Sequence, residues 1–212
     1  MKKINFNDRY GLTDAVIEGR KIMTRRKITQ GVIGKINRFR LAYYDATFDY
    51  LADMEALQHY FFIEKIGKLP YKVGEVVAVA QSYFATYDES KWENGIWYNE
   101  FADGSDITNH AGWINKMFVK AEYMPHQIRI TGIRCERLQD ISDEDCFREG
   151  ISESWYESTD TTTYGFTDEK KGTAVEFDTP REAFASLIDR VSGKGTWKKN
   201  PWVVAYEFEL LK

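Results

Sequence analysis

The sequence predicts an α+β fold or a β-barrel, with strands at intervals along the chain and a few short helices between them. Three observations point there. A short apolar run, Val76-Val77-Ala78-Val79-Ala80, sits between turn signals and reads as a buried strand. Residues 202–210 alternate, with Val204, Tyr206, Phe208 and Leu210 facing one way and Glu207 and Glu209 the other. Helix starts are marked by capping residues, most clearly Thr179-Pro180-Arg181-Glu182.

In chain order, residues 10–19 read as a short helix. Leu12 and Val16 give its stripe, Thr13 is a candidate cap and Gly19 marks the stop. The following Ile22-Met23-Thr24-Arg25-Arg26 reads as strand. Within 27–70, residues 45–66 are apolar and aromatic at mixed spacing and are taken as helical. Tyr71 to Glu75 forms a turn into the strand at 76–80. Residues 86–120 lack low-complexity Gly, Ser or Pro composition and read as a long ordered insertion. Residues 127–138 form the next strand, with Gly132 marking a bulge. Ser142 caps a short helix ending near Gly150, its first turn carrying acids that suit the helix dipole. Residues 152–178, polar and with a run Thr161 to Thr163, read as a mobile loop. Phe184, Leu187, Ile188 and Val191 give the helix after Thr179 its apolar face, and Gly193 and Gly195 end it. The last strand, 202–210, is expected to close the sheet half-buried. No internal repeat or domain boundary is visible, so residues 1–212 are read as one domain.

Composition narrows the function. The chain has 212 residues and 43% hydrophobic content, enough for a full core. Charged residues make up 29% and the net charge is −4, which fits neither a disordered chain nor a general coat for nucleic acid. Any contact with nucleotides must come from a local basic patch. Cys135 and Cys146 lack CxxC spacing, so free thiols are expected and a zinc site is not. His59, His110 and His126 have no metal-ligand spacing. No apolar run reaches the length of a membrane span, and the amino terminus lacks the apolar core of a signal peptide. A soluble cytoplasmic protein, with no membrane partner and no cofactor, is therefore expected. Aromatics in polar surroundings, among them Trp92, Trp97, Trp113, Trp155 and Tyr156, either stack on bases or line a pocket, or they pin long loops.

One basic patch stands out. Arg20, Lys21, Arg25, Arg26 and Lys27 fall within eight positions. A charge run of this kind is ordinarily a solvated face or a set of salt-bridge partners, and its other use is contact with anions. The segment Gly19-x-Lys21-x-x-Thr24-x-Arg26 resembles the ASCH signature G-x-K-x-x-E-x-R, with threonine in place of glutamate. Phage-type members and small bacterial amidohydrolases of that family also carry threonine there. The turn Lys72-x-Gly74-Glu75-x-Val77 resembles the family's K-x-G-D turn into a barrel strand. Met124-Pro125 followed by Arg129-Ile130, Arg137 to Asp145 with Glu149-Gly150-Ile151, and Asn200-Pro201-Trp202-Val203 are similar to further family segments in the same order.

The resemblance implies a PUA-like β-barrel with flanking short helices and large insertions at about 28–69, 86–118 and 152–178. It implies RNA or a modified nucleoside as partner and names no protein partner. It implies Lys21, Thr24 and Glu149 as a catalytic set for amide hydrolysis of N4-acetylcytidine. Glu149 is assigned by its place late in the helix after the strand. Arg20, Arg25, Arg26 and Arg129 are the implied ligand-binding residues, with Arg26 gripping an anion or supporting the pocket through an ion pair. A threonine hydroxyl attacks a carbonyl once a base takes its proton. A lysine becomes that base when burial or nearby cations lower its pKa from about 10.4. A cationic group then stabilises the tetrahedral oxyanion. Three readings stay open: an amidohydrolase, a non-catalytic RNA-binding module, and an accessory interaction protein of a phage or mobile element.

Overall fold

Strand β8 (Trp202–Leu211) is the spine of the main sheet. It lies between β4 (Gln127–Arg137) and β2 (Met23–Lys27) and runs antiparallel to both. Outward from β4, β3 (Val76–Val79) is antiparallel to it, and β1 (Lys2–Ile4) adds in parallel to β3, giving the order β1-β3-β4-β8-β2. The computed structural model describes residues 1–29, 31, 69–86 and 106–211. The helix expected over 45–66 lies outside them, as do the aromatics Trp92 and Trp97.

The mixed α+β composition agrees with the sequence, but the described strands do not close into a barrel. The sheet has two ends, β1 and β2. Between them β2 meets the segment after β1 through a side chain, the Arg26 guanidinium donating from Nη2 to the Asn5 main-chain oxygen, and not through a main-chain ladder. Consequently β8 does not close the sheet. As an inner strand it is buried on both faces from Trp202 to Tyr206, and alternation appears beyond that, with Phe208 buried and Glu209 exposed. Strands covered on both sides lose the alternating pattern. The register of β4 on β8 shifts between Ile130 and Gly132, the expected bulge. There a Cβ on Gly132 would lie 3.3 Å from the Glu207 side chain.

Residues 152–178 are not a loop. They form an antiparallel meander of β5 (Ser152–Tyr156), β6 (Thr161–Asp168) and β7 (Thr173–Phe177). Threonine is β-branched and suits a strand with one solvated face, so the polarity read as mobility marks the outer face of a sheet. The inner face is anchored by Phe166, edge-on to Tyr10 at 5.6 Å, and by buried Asp168, which takes two hydrogen bonds from Arg9 at 3.0 and 2.8 Å.

Among the described residues, five α-helices accompany the sheets, beside several single 3-10 turns: α1 (Leu12–Ile17), α2 (Tyr83–Thr86), α3 (Asp143–Arg148), α4 (Pro180–Ser192) and α5 (Thr196–Lys199). Helix α1 follows Gly11 in a left-handed conformation, and the hydroxyl of Thr13 bonds Asp8 and does not cap the helix. Ser142 caps α3, its Oγ accepting from the Asp145 N–H at 3.1 Å. Thr179 caps α4 by accepting from the Glu182 N–H at 3.2 Å. The Glu182 carboxylate accepts from the Thr179 hydroxyl at 3.0 Å, so the reciprocal half of the capping box is replaced by a side-chain contact. Ala183, Phe184, Leu187 and Ile188 bury the inner face of α4 against the sheet. Cys135 and Cys146 are buried free thiols, and burial pushes both up to about 12. No helix among the described residues is long and apolar enough to cross a membrane.

Candidate functional site

Two glycine stops build the site. Helix α1 ends at Glu18, and Gly19 follows at φ 76°, a left-handed conformation that a side chain would strain. The reversal lets the Lys21 N–H donate back to the Ala15 carbonyl at 2.8 Å, which fixes where the lysine leaves the helix. Helix α3 ends at Glu149, and Gly150 follows at φ 100°. The carbonyls at the end of a helix have no partner within it. Here the Ile22 N–H donates to Arg148 O at 3.0 Å, and Lys21 Nζ donates to Glu149 O at 2.7 Å. A positive charge at this end also suits the helix dipole. The Gly150 backbone packs directly against the lysine stem, 3.5 Å separating Lys21 Cδ from the position of a Cβ on that glycine.

Lys21 Nζ makes a second bond, to Glu149 Oε2 at 2.6 Å, with both side chains almost fully buried at 2% and 6% exposure. Burial pulls the lysine below its ordinary pKa. The Glu149 carboxylate opposes that, and the nearby Arg26 and Arg25 guanidiniums reinforce it. Of the three donors on an ammonium, two are held by Glu149.

Behind this pair lies a buried ionic network. Arg25 donates to Glu136 at 2.6 Å, to Asp145 at 2.6 Å and to Glu149 at 3.2 Å, with its side chain 0% exposed. Arg134 bonds Glu136, Asp145 and Glu207, and Arg148 bonds Asp145 and Glu207. Four cations (Lys21, Arg25, Arg134 and Arg148) therefore meet four carboxylates (Glu136, Asp145, Glu149 and Glu207). A balanced, hydrogen-bonded set is the condition under which charges tolerate burial. Burial opposes the Asp145 carboxylate. Hydrogen bonds from Arg25 and Arg148 and the fields of Arg25 and Arg134 nevertheless hold it below its ordinary range.

In front of the pair is a cavity of about 320 Å³. Lys21, Thr24 and Glu149 all line it, together with Arg25 and Arg26. Residues 5–7 form one wall, and the apolar face of α4, from Phe184 through Leu187 and Ile188 to Val191, forms another. Thr24 and Arg26 are two apart on β2 and share one face of the strand. Phe6 lies close to both cations, its ring centre 5.9 Å from Lys21 Nζ and 5.7 Å from Arg26 Cζ. Such contacts favour a cation over the π face. Asn5 donates from Nδ2 to the Met117 sulfur at 2.7 Å, which leaves its Oδ1 buried without a partner among the described residues; the same holds for Arg26 Nε.

The other arginines expected to bind ligand differ in where they lie. Arg25 touches the cavity, and its guanidinium is held by three carboxylates. Arg20 is an exposed residue paired with Glu18, and Arg129 is an exposed residue paired with Glu209 at 3.1 Å; neither lines the cavity. Their strand and turn positions point them to solvent, which adjacency in sequence does not reveal. Asn5 and Phe6 were not legible as site residues, because nothing in the sequence ties the amino-terminal strand to β2. The carboxylates Glu136 and Asp145 lie far from Arg25 in sequence, and Asp145 carried an ordinary helix-dipole explanation.

No protein-family profile matches the chain, and no curated protein or solved structure is significantly similar to it.

Proposed function

We propose that this chain is an ASCH-type protein, with a PUA-like fold whose sheet stays open, and that it takes a modified nucleoside or RNA nucleotide into the Lys21 cavity and hydrolyses an N-acyl amide such as that of N4-acetylcytidine. The observation that carries the reading is the meeting on one cavity of Lys21 and Thr24, from the segment leading into and along β2, with Glu149 at the end of α3. Its volume of about 320 Å³ is at the lower end of small-molecule sites, suited to one nucleoside and not to a strand.

The chemistry follows from the residues. Neutral Lys21 takes the proton of the Thr24 hydroxyl as Thr24 Oγ1 bonds to the acyl carbon. The carbonyl electrons move onto oxygen, and the resulting oxyanion lies in the field of Arg26. Collapse breaks the C–N bond, and Lys21 returns its proton to the departing amine. Water then cleaves the acyl-threonine ester by the same base and releases the carboxylic acid. Glu149 fixes the position of Lys21 throughout.

Purified protein incubated with N4-acetylcytidine is expected to release acetate and cytidine, and Lys21→Ala to abolish the release. Absence of turnover across several acylated nucleosides, with RNA binding retained, would refute hydrolysis. That outcome favours a second reading, a non-catalytic binding module, which draws on one observation: both hydrogen bonds of Lys21 Nζ go to Glu149. For the binder, RNA affinity is expected to fall when Arg26 is replaced by glutamine.

A further inference from the structure

We infer that the Lys21 cavity binds one small aliphatic carboxylate, its charge met by Arg26 and its tail by the apolar face of α4, so that the acid freed by hydrolysis is held as a product. The inference rests on the hydrolysis reading for the source of the acid; the binding itself is independent of turnover. Its origin is a count of charges. Among the described residues, the charged side chains lining the cavity are Lys21, Arg25, Arg26, Lys27 and Glu149. Lys21, Arg25 and Glu149 belong to the balanced set of four cations and four carboxylates. Lys27 is exposed and donates to the Ser192 carbonyl at 2.7 Å. Arg26 is half-buried and has no carboxylate partner among the described residues. A cation drawn out of water without a counter-charge is costly, and a ligand anion relieves that cost.

The head of Arg26 has a nitrogen open to such a ligand. Its Nη2 donates to the Asn5 main-chain oxygen and its Nε is enclosed, which leaves Nη1 neither bonded nor enclosed among the described residues. The guanidinium carbon lies 5.7 Å from the centre of the Phe6 ring, and Phe6 is itself a wall of the cavity. Phe184, Leu187, Ile188 and Val191 supply the apolar wall from α4. A cation that shares a cavity with an aliphatic wall suits a carboxylate on a short alkyl chain, whereas an inorganic anion would leave that wall without contact. The volume of about 320 Å³ admits an acid of this size. Thr24 stands two positions before Arg26 on the same face of β2, so an acyl group that leaves Thr24 Oγ1 is freed as an anion near the guanidinium.

The test is calorimetric titration of wild-type protein at pH 7 with acetate, butyrate, butyramide and inorganic phosphate. Butyrate is expected to bind one per chain, about tenfold more tightly than acetate because two further methylenes reach the apolar wall. Butyramide, its uncharged counterpart, is expected to bind at least about tenfold more weakly than butyrate. Arg26→Gln is expected to lower butyrate affinity by a similar factor, and Arg129→Gln, at an exposed arginine outside the cavity, to leave it unchanged. The ligand comparisons on wild-type protein need no folded variant, and circular dichroism checks the variants. Equal binding of butyrate and butyramide, tighter binding of phosphate than of butyrate, or butyrate binding unchanged in a folded Arg26→Gln overturns the assignment. Hydrolysis of N4-acetylcytidine without saturable carboxylate binding overturns this site alone. Butyrate binding with the expected preferences but no hydrolysis leaves the site standing and overturns the hydrolysis reading.

Discussion

Lys21 and Glu149 are joined twice, through the carboxylate at 2.6 Å and through the main-chain carbonyl at 2.7 Å. The lysine thus pairs a side chain and closes the end of helix α3 with one atom. Both functions depend on burial, and each predicts a consequence of disturbing it.

Lys21→Met keeps the stem and removes the charge. Glu149 is then left buried with Arg25 at 3.2 Å as its remaining ion-pair partner among the described residues. The expected loss is about 3 kcal/mol of unfolding free energy in urea titration. Acetate release from N4-acetylcytidine is expected to vanish as well. A variant as stable as wild type would show that the pair contributes nothing to the fold.

The pH profile has a worked sign. Lys21 acts as a base when neutral, and burial lowers its pKa below the ordinary lysine value. Turnover should therefore rise with pH through a limb centred below that value. Arg26→Gln removes a cation that lowers the pKa, so the limb moves to higher pH. Glu149→Gln removes an anion that raises it, so the limb moves to lower pH. Profiles of kcat/KM for the three proteins check the order, and coincident limbs would exclude Lys21 as the titrating base.

Asp145 links the network to acid stability. Its folded pKa is depressed, so its contribution is present above the unfolded value of about 3.9 and is lost as pH falls through the folded value. Asp145→Asn is expected to cost about 3 kcal/mol near neutral pH, because Arg25, Arg134 and Arg148 lose a shared carboxylate. The difference from wild type should shrink below about pH 4. Urea titrations across pH 3 to 7 measure it.

The two glycine stops should respond unequally to alanine. At Gly19, φ is 76° and an added Cβ meets nothing within 4 Å, so the cost is backbone strain of about 1 kcal/mol. At Gly150, φ is 100° and the Cβ meets Leu12 at 3.4 Å and Lys21 at 3.5 Å. There about 2 kcal/mol of backbone strain is expected, with turnover retained, because the added Cβ makes only ordinary contacts. Equal losses in thermal melts, or a fall in turnover at Gly150→Ala, would overturn this account.

Local signals in the sequence determined the short-range features. Ser142 and Thr179 name helix starts, Gly19 names a stop and Gly132 a bulge, because capping and φ preferences act over a few residues. The three strands within 152–178 carry no such local signal. Threonines on a solvated strand face look like loop composition until Phe166 and Asp168 are seen to be buried beneath them. The tertiary structure alone decided which charges are internal. Lys21, Arg25 and Arg26 are near-neighbours in sequence, yet Arg25 is buried among three carboxylates, Lys21 is clamped by Glu149, and Arg26 Nε has no partner among the described residues. Burial and counter-charge come from β4, α3 and residues 5–7, far away along the chain, and desolvation is a property of the packed whole.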